Sequence, residues 1–439
     1  MRYALVNGHV IDGTENMQPQ SGLAVVIEDG VIAQIAAESD PALHDIERID
    51  LQGGYLCPGL INAHVHLVIA GKQPQNDKPV DYRKLVQTLR GIPPVRWYFL
   101  KSMEGNARNQ LESGVTTIRC VGGILDWDGI IRDRVAAGRV VGPRIISCNM
   151  AVSVPGGHFA GSLATEATSP DEAAAHMRAA VESGADVVKL MITGGVMDAT
   201  EEGEPGALRM PPELVRAACD EAHALGRKVA AHVESAEGVR VALEGGVDTI
   251  EHGSALDDKL VALFKQTGAA FINTMSPFIP YAVLPLDVAR CGELGRKNGR
   301  IVAKSCTLGV RRALAEGIPV GLGTDTGCPF ITHYDMWREV AYFARLAQVE
   351  NARALYAATL GNARILGIDD ITGSIEVGKR ADFLVAKRNP LDDPAALREL
   401  SIVARDGVII HNPKPRKDAT VEAALDAADL TEFEQFLES

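Results

Sequence analysis

The stretch ESGADVVKLMI, residues 182–192, carries the reading that decides the fold. Glu182-Ser183-Gly184 looks like a helix closing on a glycine just past its last turn, where a left-handed backbone is needed. The segment that follows is short, apolar and rich in β-branched residues, as a buried strand is. The same junction recurs along the middle of the chain. Glu112-Ser113-Gly114 precedes VTTIRCV, Glu244-Gly245-Gly246 precedes VDTIEHG, and Glu316-Gly317 precedes IPVGLGTD. Leu225-Gly226 and Thr267-Gly268 repeat it before RKVAAHV and AAFINTM. Strands that are apolar on both faces belong to a parallel sheet covered by helices.

Between the strands the pattern is helical. Ser169-Pro170-Asp171-Glu172 has an N-cap serine, a first-turn proline and a glutamate placed for a capping box. Leu214, Ala218, Ala222 and Leu225 share one predicted helical face. Eight strands are expected, starting near residues 60, 115, 143, 185, 228, 248, 270 and 319. That count favours an α/β (β/α)8 TIM barrel over residues 58–371, with a doubly wound open sheet as the alternative. Residues 1–57 and 372–415 are strand-rich, with hairpin signals at Asp29-Gly30 and Asp406-Gly407. They are predicted to pair into one small β-sandwich domain built from both chain ends. Residues 416–439 read as a C-terminal helix.

Composition narrows the function classes. Hydrophobic residues make up 46% and charged residues 23% of 439, the balance of a globular enzyme. The net charge of −13 argues against nucleic acid, whose phosphates call for clustered Lys and Arg. No apolar run reaches membrane-helix length, and the N-terminus lacks signal-peptide character. Seven scattered cysteines without a CxxC fit a reducing, cytoplasmic setting. The expected partner is a small-molecule substrate, and the protein itself is expected to be a homo-oligomer.

The chemistry gathers at strand ends. In LINAHVHL, His64 and His66 lie two residues apart, so a strand projects both imidazoles the same way. Candidate ligands recur as His232 in KVAAHVES, His252 in TIEHG and Asp325 in VGLGTDT. A barrel brings all these ends to one face, where a divalent metal would compensate a buried aspartate. Lys189 is flanked by apolar residues, and a buried ammonium is costly. Two solutions are a carbamate formed with carbon dioxide, whose charge metals can balance, and a Schiff-base amine.

HxH on strand one, Lys on strand four, His on strands five and six and Asp on strand eight resemble the amidohydrolase superfamily in its binuclear, carboxylated-lysine form. PGLINAHVH, VVKLMITGGV, IEHG, GTDTG and GSIEVGKRADFLV extend the resemblance over nearly the whole chain. They are most similar to its prolidase-like branch of Xaa-Pro and Xaa-Arg dipeptidases and metal-dependent carboxypeptidases. The resemblance implies two divalent metal ions, with zinc expected. His64, His66 and Asp325 would hold one, His232 and His252 the other, and a carbamate on Lys189 would bridge them.

The expected activity is amide hydrolysis of a dipeptide or N-acyl amino acid by a metal-bridging hydroxide, with Asp325 as catalytic proton shuttle. Alternatives are a cyclic amide, lactone or organophosphate ester on the same site, or a mononuclear enzyme like imidazolonepropionase or a deaminase. His158, in Pro155-Gly156-Gly157-His158, is a further catalytic and substrate-binding candidate. Glu234 replaces an aromatic that several relatives carry two residues after the strand-five histidine. It should face the same way as His232 and would favour an amine or guanidinium. Three long segments could shape the pocket: 69–101 as a lid with Tyr82, Trp97 and Tyr98; 193–212, with Glu201, Glu202 and Glu204; and 275–287, with Pro277, Phe278 and Tyr281. His333 borders the pocket in this reading.

Overall fold

A computed structural model describes residues 1–74 and 82–438 of the chain. Residues 75–81 of the predicted lid, and the Tyr82 side chain, lie outside the described residues.

The junction glycines behave as their position requires. Gly114, Gly184, Gly246 and Gly317 have φ of 92°, 87°, 101° and 70°, and each is followed by a barrel strand. The strands are β1 (Leu60–Val65), β2 (Val115–Cys120), β3 (Arg144–Ile146, resuming as Ala151–Ser153), β4 (Val188–Met191), β5 (Val229–Val233), β6 (Thr249–His252), β7 (Ala270–Asn273) and β8 (Val320–Leu322). All neighbours pair in parallel. Val65 bridges Thr326, and Asp325 donates its N–H to the His64 carbonyl at 2.9 Å, which closes β8 onto β1. A principal helix follows every strand, from Pro93–Glu112 after β1 to Met336–Leu346 after β8. The molecule is a (β/α)8 barrel.

Three local expectations need correction. The third strand is split: its first part pairs with β2 and its second with β4, and a short parallel strand, Ala164–Glu166, adds to the second part. Glu172 does not reach back to the N-cap Ser169; its carboxylate accepts the N–H and hydroxyl of Thr168 at 2.7 and 2.6 Å. The helix Pro212–Ala224 buries Leu214, Ala218 and Ala222, but Leu225 is its C-cap and is exposed.

The two chain ends form a sandwich against the barrel. One sheet orders Val31–Ala37, Leu23–Glu28, Arg2–Val6 and Glu47–Asp50. The other interleaves both ends, running Val408–His411, Leu400–Arg405, Phe383–Ala386, Tyr55–Pro58, His9–Val10 and Gln20–Ser21. Tyr3, Leu5 and Ile27 share one apolar cluster with Phe383, Val385 and Ile402. Asp29-Gly30 and Asp406-Gly407 have positive φ throughout, the geometry of two-residue hairpin turns. The tail forms two helices rather than one, Ala419–Asp426 and Thr431–Glu438, and Phe433 and Leu437 pack into the barrel core. Among the described residues no helix is long and apolar enough to cross a membrane, and all seven cysteines are free.

Candidate active site

The barrel brings the predicted site residues to one cavity of about 470 Å³, part of it open to solvent. His64, His66, Lys189, His232, His252 and Asp325 all line it. So do His158 and Glu234. Pro277, Phe278 and Tyr281 form an apolar wall, and Val196 and Met197 of the loop after β4 form another. The glutamates of that loop face out: Glu204 pairs with Arg209 at 2.5 Å and Glu202 with Lys297 at 2.9 Å. Trp97 and Tyr98 sit on the helix Pro93–Glu112, 65% exposed, and do not reach the cavity. His333 is also absent from the wall; its Nε2 donates to the Ile69 carbonyl at 2.7 Å behind it.

His64, His66 and Asp325 form a possible metal site, with one donor atom of each inside a 4.8 Å cluster. Asp325 Oδ1 lies 3.4 Å from His64 Nε2 and 3.2 Å from His66 Nε2. Acceptors set both tautomers from behind. His66 Nδ1 donates to the Gly122 carbonyl at 2.8 Å, and His64 Nδ1 donates to Glu251 Oε2 at 2.8 Å. Each Nε2 therefore turns a lone pair toward the cavity, as a metal-ligating histidine requires. Burial and nearby Lys189 hold His64 down to about 4, so it is neutral at pH 7. Burial would raise Asp325, but the imidazoles around it, His64 foremost, hold it well below the usual carboxylate range.

His252 and His232 stand beside this cluster, their ring centroids 4.7 Å apart. Nδ1 of His252 is 2.7 Å from the Thr274 hydroxyl. His232 is turned the other way: its Nε2 faces the Gly194 carbonyl at 3.3 Å, which leaves Nδ1 as the free nitrogen. Burial, with neighbouring imidazoles second, keeps both rings neutral. Lys189, 1% exposed, lies in the same wall. Burial lowers its ammonium to about 8 although the Glu251 charge opposes the shift.

Two groups of residues had no signal in the pattern reading. The first is a buried ion network behind His64. Arg119 donates to both oxygens of Glu251 at 2.7 and 2.8 Å, to Thr249 Oγ1 at 2.9 Å and to the Ala63 carbonyl at 2.7 Å. Burial opposes the Glu251 charge, but Arg119 and His64 hold its carboxyl far below the usual range. Glu251→Gln is expected to destabilise the fold by about 3–5 kcal/mol, because Arg119 stays buried without its counter-charge. Thermal unfolding checks this, and an unchanged melting temperature would contradict it. A depressed folded pKa stabilises above the unfolded value, 4.5, and that stabilisation fades as pH falls toward the lower folded value. The gap between wild type and variant should therefore narrow in acid.

The second group surrounds His158. Its Nδ1 is hydrogen-bonded to Asp198, whose Oδ2 also accepts the Gly195 N–H at 3.2 Å. The His158 ring stacks on His232, with centroids 4.2 Å apart and planes 13° from parallel. A Cβ on Gly195 would come within 2.9 Å of the His158 ring, so the loop closes over this pair only with glycine there. Cys328 donates its thiol to Asp325 Oδ2 at 3.3 Å. His252 and Asp325 both have left-handed backbones, φ 65° and 55°. Such strain in non-glycine residues concentrates at functional sites.

Known proteins are similar to this chain over most of its length. A solved structure from Bifidobacterium longum, of a protein assigned as a prolidase, superposes with a TM-score of 0.84 at 36% identity over 97% of this chain and 98% of that one. A Xaa-Pro dipeptidase with methionine bound in its active site gives 0.79 at 27% identity, covering 94% and 100%. Ochratoxinase of Aspergillus niger is 25% identical over 417 residues, 87% of this chain and 81% of its own length. Residues 55–412, from the last N-terminal sandwich strand through the barrel to the final hairpin, match the amidohydrolase family. With the family match spanning barrel, site and sandwich together, this chain belongs to the amidohydrolase family, in its prolidase-like branch.

Proposed function

We propose that the protein is a binuclear metal-dependent amide hydrolase whose substrate is a dipeptide or an N-acyl amino acid. One observation carries the reading: Lys189 is buried in the wall of the same cavity that His64, His66, Asp325, His232 and His252 line. The donor set suits two divalent ions. His64, His66 and Asp325 would hold one, His232 and His252 the second, and Lys189 both. Imidazole and carboxylate donors favour zinc. For Lys189 to serve, its neutral amine adds to carbon dioxide. A nitrogen–carbon bond forms, a proton leaves, and the product is an anionic carbamate. A lysine lowered to about 8 has enough free amine for this at neutral pH.

When bound, such ions polarise a carbonyl and lower the pKa of a water to near neutrality. The chain's own groups do the rest. Asp325, ionised and facing the cavity, takes a proton from the attacking water and returns it to the leaving amine. His158, with Nδ1 held by Asp198, offers Nε2 to the substrate carbonyl or carboxylate. Glu251 and Arg119 fix the His64 ring from outside the cavity lining. The peptidase assignments of two solved relatives support a dipeptide over the lactones and phosphotriesters that similar metals also cleave.

A screen of the zinc-loaded enzyme against dipeptides and N-acyl amino acids tests the proposal. Chelator-sensitive release of free amino acid is expected. Inertness toward every amide, with turnover of a lactone or phosphotriester, would overturn it. Asp198→Asn should lower kcat/KM by about 10–100-fold, the usual effect of losing a histidine's orienting partner. Most of the loss should appear in KM if His158 binds substrate. Unchanged kinetics would remove Asp198 from the site.

A further inference from the structure

Two carboxylates line the cavity, and only Asp325 belongs to the ligand cluster. Glu234 is the other. Its side chain is 4% exposed, and Oε2 has no hydrogen-bond partner among the described residues. Oε1 stands 3.9 Å from Nε2 of His232, the ring edge opposite the nitrogen left free for a metal. Among the described residues no Lys or Arg forms an ion pair with it, and the single ammonium on the cavity wall is Lys189. A carboxylate oxygen withdrawn from water without a donor is costly, so a fold keeps one where a ligand supplies the donor. The aromatic faces of Phe278 and Tyr281 line the same cavity and suit the alkyl stem or charge of a cation.

We propose that Glu234 is the carboxyl wall of a subsite receiving a positively charged group of the substrate, an ammonium or guanidinium, whose charge the carboxylate balances. This rests on the amide-hydrolase reading and narrows its substrate class. The charge has two sources, the α-ammonium of a free dipeptide or a basic side chain.

Four compounds separate the sources: Ala-Lys, Ala-norleucine, N-acetyl-Ala-Lys and N-acetyl-Ala-norleucine. With zinc-loaded enzyme, kcat/KM for Ala-Lys should exceed that for N-acetyl-Ala-norleucine by about 10–100-fold, the weight of a charge-assisted hydrogen bond. The single deletion that removes the preference identifies the source. Glu234→Gln should collapse that ratio toward one while metal content by elemental analysis matches wild type. Equal kcat/KM for all four compounds overturns the subsite and leaves amide hydrolysis standing. Loss of metal from Glu234→Gln also overturns it, because Glu234 is then a ligand. Calorimetric binding of the same compounds is read in parallel. If none is cut yet the cationic ones still bind more tightly, amide hydrolysis fails and the subsite stands.

Discussion

Asp325→Asn is expected to lower kcat by roughly 10²–10⁴-fold, the range for losing a positioned acid–base group, with the fold intact. Asp325 sits 3.4 and 3.2 Å from Nε2 of His64 and His66, and its carboxyl is held well below the usual range, so it is ionised. Asparagine keeps the shape but can neither accept the water's proton nor donate it to the leaving amine. Its backbone also tolerates the left-handed conformation found here, φ 55°, so misfolding is not a competing explanation. Circular dichroism and thermal unfolding verify the fold, and steady-state kinetics on a responsive dipeptide measure the loss. Metal content should be followed too, since Asp325 is also assigned as a ligand. Turnover near wild type would remove the proton-shuttle role.

Lys189→Ala is expected to have the other large effect. The side chain lines the cavity together with all five of the other proposed ligands, and alanine leaves neither amine nor carbamate there. Metal content should fall from about two ions per chain toward one or none, and hydrolysis should fall with it, because a two-metal site acts as one unit. A short carboxylic acid added in solution could fill the gap left by the missing carbamate and restore part of the activity. If the variant binds as much metal as wild type and still turns over, Lys189 is a buried lysine of the fold and the binuclear assignment falls with it.

The sequence carried the fold through a repeated signal. Helix ends marked by Glu and Gly, each followed by a short apolar strand, need no tertiary information to be read, and strand ends in a parallel barrel face the same way. The cavity-lining ligands were legible for the same reason: His64 and His66 lie two residues apart at the end of β1, and Asp325 comes three residues after Leu322, the last residue of β8. What stayed hidden depends on departures from alternation or on distance in the chain. Glu251 and His252 are consecutive, so a regular strand would put them on opposite faces. The left-handed φ of 65° at His252 ends the strand, so that His252 lines the cavity while Glu251 meets Nδ1 of His64 behind it. Arg119 meets Glu251 from 132 residues away, and TTIRC alone does not distinguish a buried arginine from a strand-edge one. Asp198 lies in a loop without period, so its bond to His158 could be found only in three dimensions. The split in β3 has the same character, because its two parts choose different neighbours.

Titration of zinc into the metal-stripped enzyme, with dipeptide hydrolysis followed at each addition, tests the central claim most directly. Activity should rise from near zero and level off at about two equivalents per chain, as a two-metal site requires. Saturation at one equivalent, or hydrolysis indifferent to the metal, would contradict the account.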